Sequence, residues 1–285
     1  MAAWSAVVTV RRCLSLLLVS LVLGACSAPE PGGPTATPQA ANSPTETDDS
    51  RTRAANSPTR AANTTTRAAN TPVVVLDPGH NGGNASHPAA INRQVPAGRG
   101  RSKACNTTGT ATEDGYPEHA FNLDVARRVG EQLGERGIEV AYTRTEDDGV
   151  GPCVHERARI GNEHDADAVV SIHADGATDP GAHGFHLAYS APPLNEAQGE
   201  PTLRLVEALR EGMRDAGFPV ADYLGEHGLS GRDDLAGMNL STRPSALVEC
   251  GNMRNPEEAA AMSSAEGRRR YAAAIAAGIL AYLGR

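Results

Sequence analysis

Three short apolar runs in this chain each end in a side chain that can bind a metal or move a proton. Val73–Asp77 is a β-branched apolar run stopped by Pro78 and Gly79, and the turn delivers His80. The run AVVSIHAD at 168–175 carries His173, and SALVECGN at 245–252 carries Glu249. Two imidazoles and a carboxylate are donors suited to a catalytic zinc site, which takes three protein ligands and leaves one position open. Glu118 supplies the missing carboxylate. It follows Pro117 in the first turn of a helix, where the helix dipole favours the ionised form. His119 and Glu113 are its rivals for that role. With Glu249 as a further acid/base side chain at the same edge, the working reading is a metal-dependent hydrolase.

These side chains meet only if the elements carrying them lie side by side. The three runs read as buried strands of a parallel sheet, whose C-terminal edge is where α/β proteins build their sites. A helix over about 117–136 presents Asn122, Val125, Ala126, Val129 and Leu133 on one face and stops at Gly137. A strand at 138–143, a helix at about 154–165 and a strand near 184–189 follow. The helix at 199–216 buries Thr202, Leu205, Val206, Leu209 and Met213, and 217–243 reads as irregular. A final helix covers about 264–283, with Tyr271, Ala274, Ile275, Gly278, Ile279 and Tyr282 at helical spacing. Strands alternating with helices predict an α/β fold, a single domain with a largely parallel central sheet flanked by helices. The Gly- and Asn-rich excursion at 81–115 holds Arg93, Arg99, Arg101 and Lys103. A loop of that length in a compact domain tends to be functional, so these four are candidate contacts for substrate carboxylates, with a solvated rim as the alternative.

The chain has 285 residues, 4% aromatic residues and a net charge of −8, so aliphatic side chains must build the core. Removing residues 1–25, with Arg11 and Arg12, takes the charge from −8 to −10. An acidic chain without a basic run argues against a nucleic-acid partner. Residues 1–25 have the pattern of an export signal: two arginines, then an apolar stretch too short to span a bilayer. Leu23-Gly24-Ala25-Cys26 resembles the lipobox of bacterial lipoproteins, which implies lipidation of Cys26 and a membrane anchor, with ordinary cleavage after Ala25 and secretion, or an uncleaved anchor, as the alternatives. Residues 26–72 are rich in Pro, Thr, Ala and Asn, repeat Arg-Ala-Ala-Asn every seven residues, and read as a disordered tether ahead of a domain at 73–285. In the oxidising compartment this implies, Cys105, Cys153 and Cys250 allow one bridge. Cys250 follows Glu249 on a strand and should point to the opposite face, into the core. Cys105–Cys153 is therefore the expected disulfide.

The motifs taken together resemble the zinc-dependent N-acetylmuramoyl-L-alanine amidases of the amidase_3 family. The residues that carry this are Asp77-Pro78-Gly79-His80, Glu118 with Leu123, Ser171-Ile172-His173 and Leu247-Val248-Glu249, with Arg157, Asn162, Ala166 and Asp167 before the second histidine strand. The resemblance implies one Zn2+ held by His80, Glu118 and His173, with Glu249 as general base and acid. It also implies a peptidoglycan or muropeptide substrate cut between N-acetylmuramic acid and L-alanine. The expected protein is a monomeric, exported envelope lipoprotein facing the cell wall. Other zinc peptidases or deacetylases of the wall, and a non-catalytic wall-binding lipoprotein, are the rival classes. Asp77 reads as a turn former, with a hydrogen bond supporting the site from behind as the alternative. His183 and His186 form an H-x-x-H, but on a strand they would point to opposite faces.

Overall fold

The structure is a computed structural model, and it describes residues 71–285. The export signal, Cys26 and the tether as far as residue 70 lie outside the described residues. Eight strands and seven α-helices follow in the order β1 (Val73–Pro78), α1 (Pro88–Asn92), β2 (Gln94–Pro96), β3 (Ser102–Ala104), α2 (Glu118–Gly134), β4 (Glu139–Tyr142), α3 (Val154–Glu163), β5 (Ala168–Asp175), β6 (His186–Ser190), α4 (Glu200–Asp215), β7 (Leu229–Arg232), α5 (Ala236–Asn239), β8 (Ser245–Asn252), α6 (Pro256–Ser263) and α7 (Ala265–Tyr282).

Six strands form one sheet in the order β4-β1-β5-β8-β6-β7. The pairs β4–β1, β1–β5 and β5–β8 are parallel, so the strands leading to His80, His173 and Glu249 are immediate neighbours running the same way. β6 runs antiparallel to β8, which places its first residue, His186, opposite Glu249 at the functional edge.

Strand alternation sorts the side chains. Val74 and Leu76, Val170 and Ile172, and Ala246, Val248 and Cys250 face the main core beneath α2, α4 and α7. Val75 and Val169 face the other way and join Ala166 in a small cluster with Ile160 of α3. Ser171, His173 and Glu249 share that second side, away from the main core. Cys250, 1% exposed, is buried on the core side. The helical faces read from spacing on α2 and α4 are the buried faces. Helices α4 and α7 approach closely through Gly212 and Gly278, where a Cβ on either would lie under 3 Å from the other's backbone.

Three stretches differ from expectation. The excursion at 81–115 contains α1 and a β2–β3 hairpin, and the stretch read as irregular at 217–243 contains β7 and α5. The last helix is preceded by a separate α6, capped by Asn255, whose side chain accepts from the backbone of Glu257 and Glu258. These elements are too short to show a period, and they are fixed by distant partners. Among the described residues, no helix is long and apolar enough to cross a membrane.

Candidate active site

His80, Glu118 and His173 converge. Their candidate ligand atoms all lie within 4.8 Å of one another. Glu118 Oε1 is 3.1 Å from His80 Nε2 and 3.0 Å from His173 Nδ1. The two rings meet nearly edge to face, 84° apart with centroids at 4.9 Å. Burial opposes ionisation of Glu118, but the charge of His80 and hydrogen bonds from both imidazoles outweigh it and hold the carboxyl well below its usual range. Burial pushes the His173 imidazole down, against its hydrogen bond to Glu118.

The local chain is shaped to allow this convergence. A Cβ at Gly79 would fall 2.1 Å from the His173 ring, so only glycine lets the turn pass beneath it. Gly109, at φ +79, lies where a side chain would meet Glu118 Oε2 and the His80 ring. The segment 106–110 lies against these three side chains. The Thr107 carbonyl lies 3.1 Å from His80 Nδ1 and accepts when that nitrogen carries the hydrogen, leaving Nε2 free to ligate. Thr110 N donates to Glu118 Oε2 at 2.9 Å, and Asn122 Nδ2 and Ala174 N donate to Oε1.

Glu249 is the register partner of His173 across β5–β8, so both side chains leave the sheet on the same side. Its Oε2 is enclosed and has no hydrogen-bond partner. Burial, then the Glu118 and Asp175 carboxylates, raise its pKa well above the usual range against the pull of Arg232. A cleft of about 490 Å3 joins His80, Glu118, His173 and Glu249, with Thr107–Thr110 on one wall and Leu235–Met238 on another.

The basic cluster is placed differently. Arg93 donates to Cys153 Sγ, and Arg99 donates to Asn239 Oδ1, Ser190 Oγ and the Pro192 carbonyl. Arg101 reaches the carbonyl and carboxylate of Asp233. These three arginines join the hairpin to distant segments and do not line the cleft. Lys103 does line it, although its Nζ donates to the Asp234 carbonyl at 3.0 Å. The disulfide joins Cys105 to Cys153, 48 residues apart, next to the 106–110 segment.

Asp77 proves to be more than a turn former. It is buried, pairs with Arg157 at 2.7 Å, and accepts from Ser171 Oγ and Thr143 Oγ1 at 2.6 Å each. Burial would raise its pKa, but the Arg157 charge and these hydrogen bonds hold it at about 2. His183 lies before β6, exposed beside Asp222. His186 is 2% exposed with Nδ1 unpartnered, edge-on to Tyr223, whose hydroxyl donates to Asp175. The H-x-x-H gave no reason to single out His186; only His186 lies on β6, and the antiparallel run of that strand puts it beside Glu249.

The profile of the Amidase_3 family, described as N-acetylmuramoyl-L-alanine amidase, matches residues 74–281. N-acetylmuramoyl-L-alanine amidase Rv3717 of Mycobacterium tuberculosis is 48% identical over 211 residues, spanning 74% of this chain and 86% of that protein. The crystal structure of the N-acetylmuramyl-L-alanine amidase Ami1 from Mycobacterium smegmatis superposes with a TM-score of 0.73 at 50% identity, covering 75% of this chain and 97% of that one. The apo form of Ami1 from Mycobacterium abscessus gives 0.72 at 52% identity, covering 74% and 98%.

Proposed function

The chain belongs to the Amidase_3 family of N-acetylmuramoyl-L-alanine amidases, and we propose that it cuts the amide between the lactyl group of N-acetylmuramic acid and L-alanine at a single zinc site formed by His80, Glu118 and His173, with Glu249 carrying the proton. The observation that supports this most is Glu249 Oε2, enclosed without a partner on the same side of the sheet as a His-Glu-His cluster. The donor set fits zinc: two imidazoles and one carboxylate, with Nδ1 of His80 oriented by a carbonyl. When bound, zinc supplies Lewis acidity that brings the pKa of a water toward neutrality.

The protein's own groups do the rest. Glu118 stays ionised and neutralises part of the metal charge. Glu249, whose pKa is raised by burial, is a strong enough base to take the water's proton, and it returns that proton to the departing alanine nitrogen. The cleft walls hold the glycan and the stem peptide on either side of the scissile bond. A cell-wall amidase acts outside the cytoplasmic membrane, and Cys26 would anchor it there. Loss of palmitate labelling in Cys26→Ala tests that anchor.

The decisive experiment is mass analysis of products from purified muropeptides, with and without a chelator. Free lactyl ends with new N-terminal alanine identify the amidase reaction, whereas peptidase or deacetylase products refute it. Glu249→Gln should keep its zinc and lose activity by about 100-fold or more. An active Glu249→Gln refutes the assigned role.

A further inference from the structure

Arg157 carries five N–H donors, and each has an acceptor. Nε donates to the Pro152 carbonyl at 2.9 Å. Nη1 donates to Asp77 Oδ1 and to the Pro78 carbonyl, both at 2.7 Å. Nη2 donates to the carbonyls of His80 at 2.8 Å and Gly151 at 3.3 Å. Three of these acceptors belong to the strand end and turn that deliver the first ligand. His80 itself has φ +59, the left-handed region that is uncommon for residues other than glycine and that His enters more readily than most. Buried Arg144 grips the same turn from the β4 side, donating to the carbonyls of Pro78 and Gly79 at 3.0 Å each. Two like charges are thus packed around three consecutive carbonyls, and Asp77 is the carboxylate paired with Arg157.

We propose that Arg157 is a positioning residue for the metal: by holding the Asp77–His80 turn in its left-handed conformation, it aims the His80 imidazole at Glu118 and His173 and so sets the zinc affinity of the site. This rests on the zinc reading above. The arrangement exceeds what folding alone requires. A buried guanidinium needs acceptors, but these acceptors include the backbone of a ligand and of the residues just before it. Lysine has its three donors on a single atom and cannot span Pro152 and Gly151 on one flank and Asp77 and Pro78 on the other.

The test compares wild type with Arg157→Lys by zinc competition against a chromogenic chelator, by melting of the zinc-free and zinc-loaded forms, and by the visible spectrum of the cobalt-substituted protein. Arg157→Lys should bind zinc about 10- to 100-fold more weakly, the loss typical of an outer partner of a ligand. Its zinc-induced rise in Tm should shrink and its cobalt bands should shift. Equal zinc affinity, with both forms melting lower by the same amount, overturns the proposal and leaves Arg157 a structural residue. If Arg157→Lys does not fold, Asp77→Asn is measured the same way. It removes the negative charge that Nη1 engages and should weaken zinc in the same direction, while wild-type affinity in that variant overturns the proposal. A wild-type protein that takes up no zinc refutes the zinc reading itself, an outcome distinct from either.

Discussion

Replacing Gly79 by alanine tests the site at one atom. Gly79 is not in the left-handed region, so alanine meets no backbone penalty there. What it meets is the His173 imidazole, with Cε1, Nε2 and Nδ1 at 2.1, 2.4 and 2.6 Å from the added Cβ. Ordinary contact begins near 3.4 Å, so the ring must retreat by about 1.3 Å, several times the roughly 0.2 Å tolerance of a metal–ligand distance. The ring is hemmed in by Glu118 and His80, so the retreat breaks the cluster rather than shifting it as a body. Gly79→Ala should therefore fold, with a Tm for the zinc-free form within a few degrees of wild type, and purify with far less than one zinc per chain. Metal content by atomic emission, chelator competition and muropeptide turnover measure this. A variant with a full zinc complement and wild-type turnover would refute the placement of His173 as a ligand.

Further outcomes follow from other features. Asp77 has its folded pKa lowered from 3.8 to about 2, so its ionisation stabilises the fold above pH 4, and the gain is lost as the pH falls toward 2. The loss is about 2 kcal/mol, and urea titrations of metal-free protein should show a flatter acid limb in Asp77→Asn. Replacing both Cys105 and Cys153 by serine should cost about 3–4 kcal/mol in the chain-entropy account and weaken zinc through the adjoining 106–110 segment, read by the same titrations and by chelator competition. Lys103→Ala should raise KM for charged muropeptides with kcat held, whereas Arg99→Ala should lower stability and leave KM within about twofold.

What the sequence disclosed tracks how far a residue's partners lie along the chain. The strands carrying His173 and Glu249 and the strand leading to His80 are largely buried, so each reads as a mostly apolar run without reference to a partner. The faces of α2 and α4 repeat with helical period, and they too were legible. The Arg157–Asp77 pair was not, since nothing local links residues 80 positions apart. The basic cluster suggested substrate contacts because its density is local, while the partners of Arg99 are 91 to 140 residues away. In α6 the cap signal Asn255-Pro256-Glu257-Glu258 was present, but with Met262 as its buried residue the helix has no apolar face to announce it. The antiparallel turn of β6 left no mark in its own sequence, and it is what brings His186 next to Glu249.

The bridge between Cys105 and Cys153 also bears on what a protease cut would do to the molecule. The span it closes includes the exposed stretches near residues 113–115 and 145–150. A single peptide cut anywhere inside that span leaves two fragments that remain covalently joined, one bearing His80 and the other His173 and Glu249. A nicked molecule would then migrate intact on a non-reducing gel and keep His80, His173 and Glu249 within reach of one another, so that scission and inactivation become separate events.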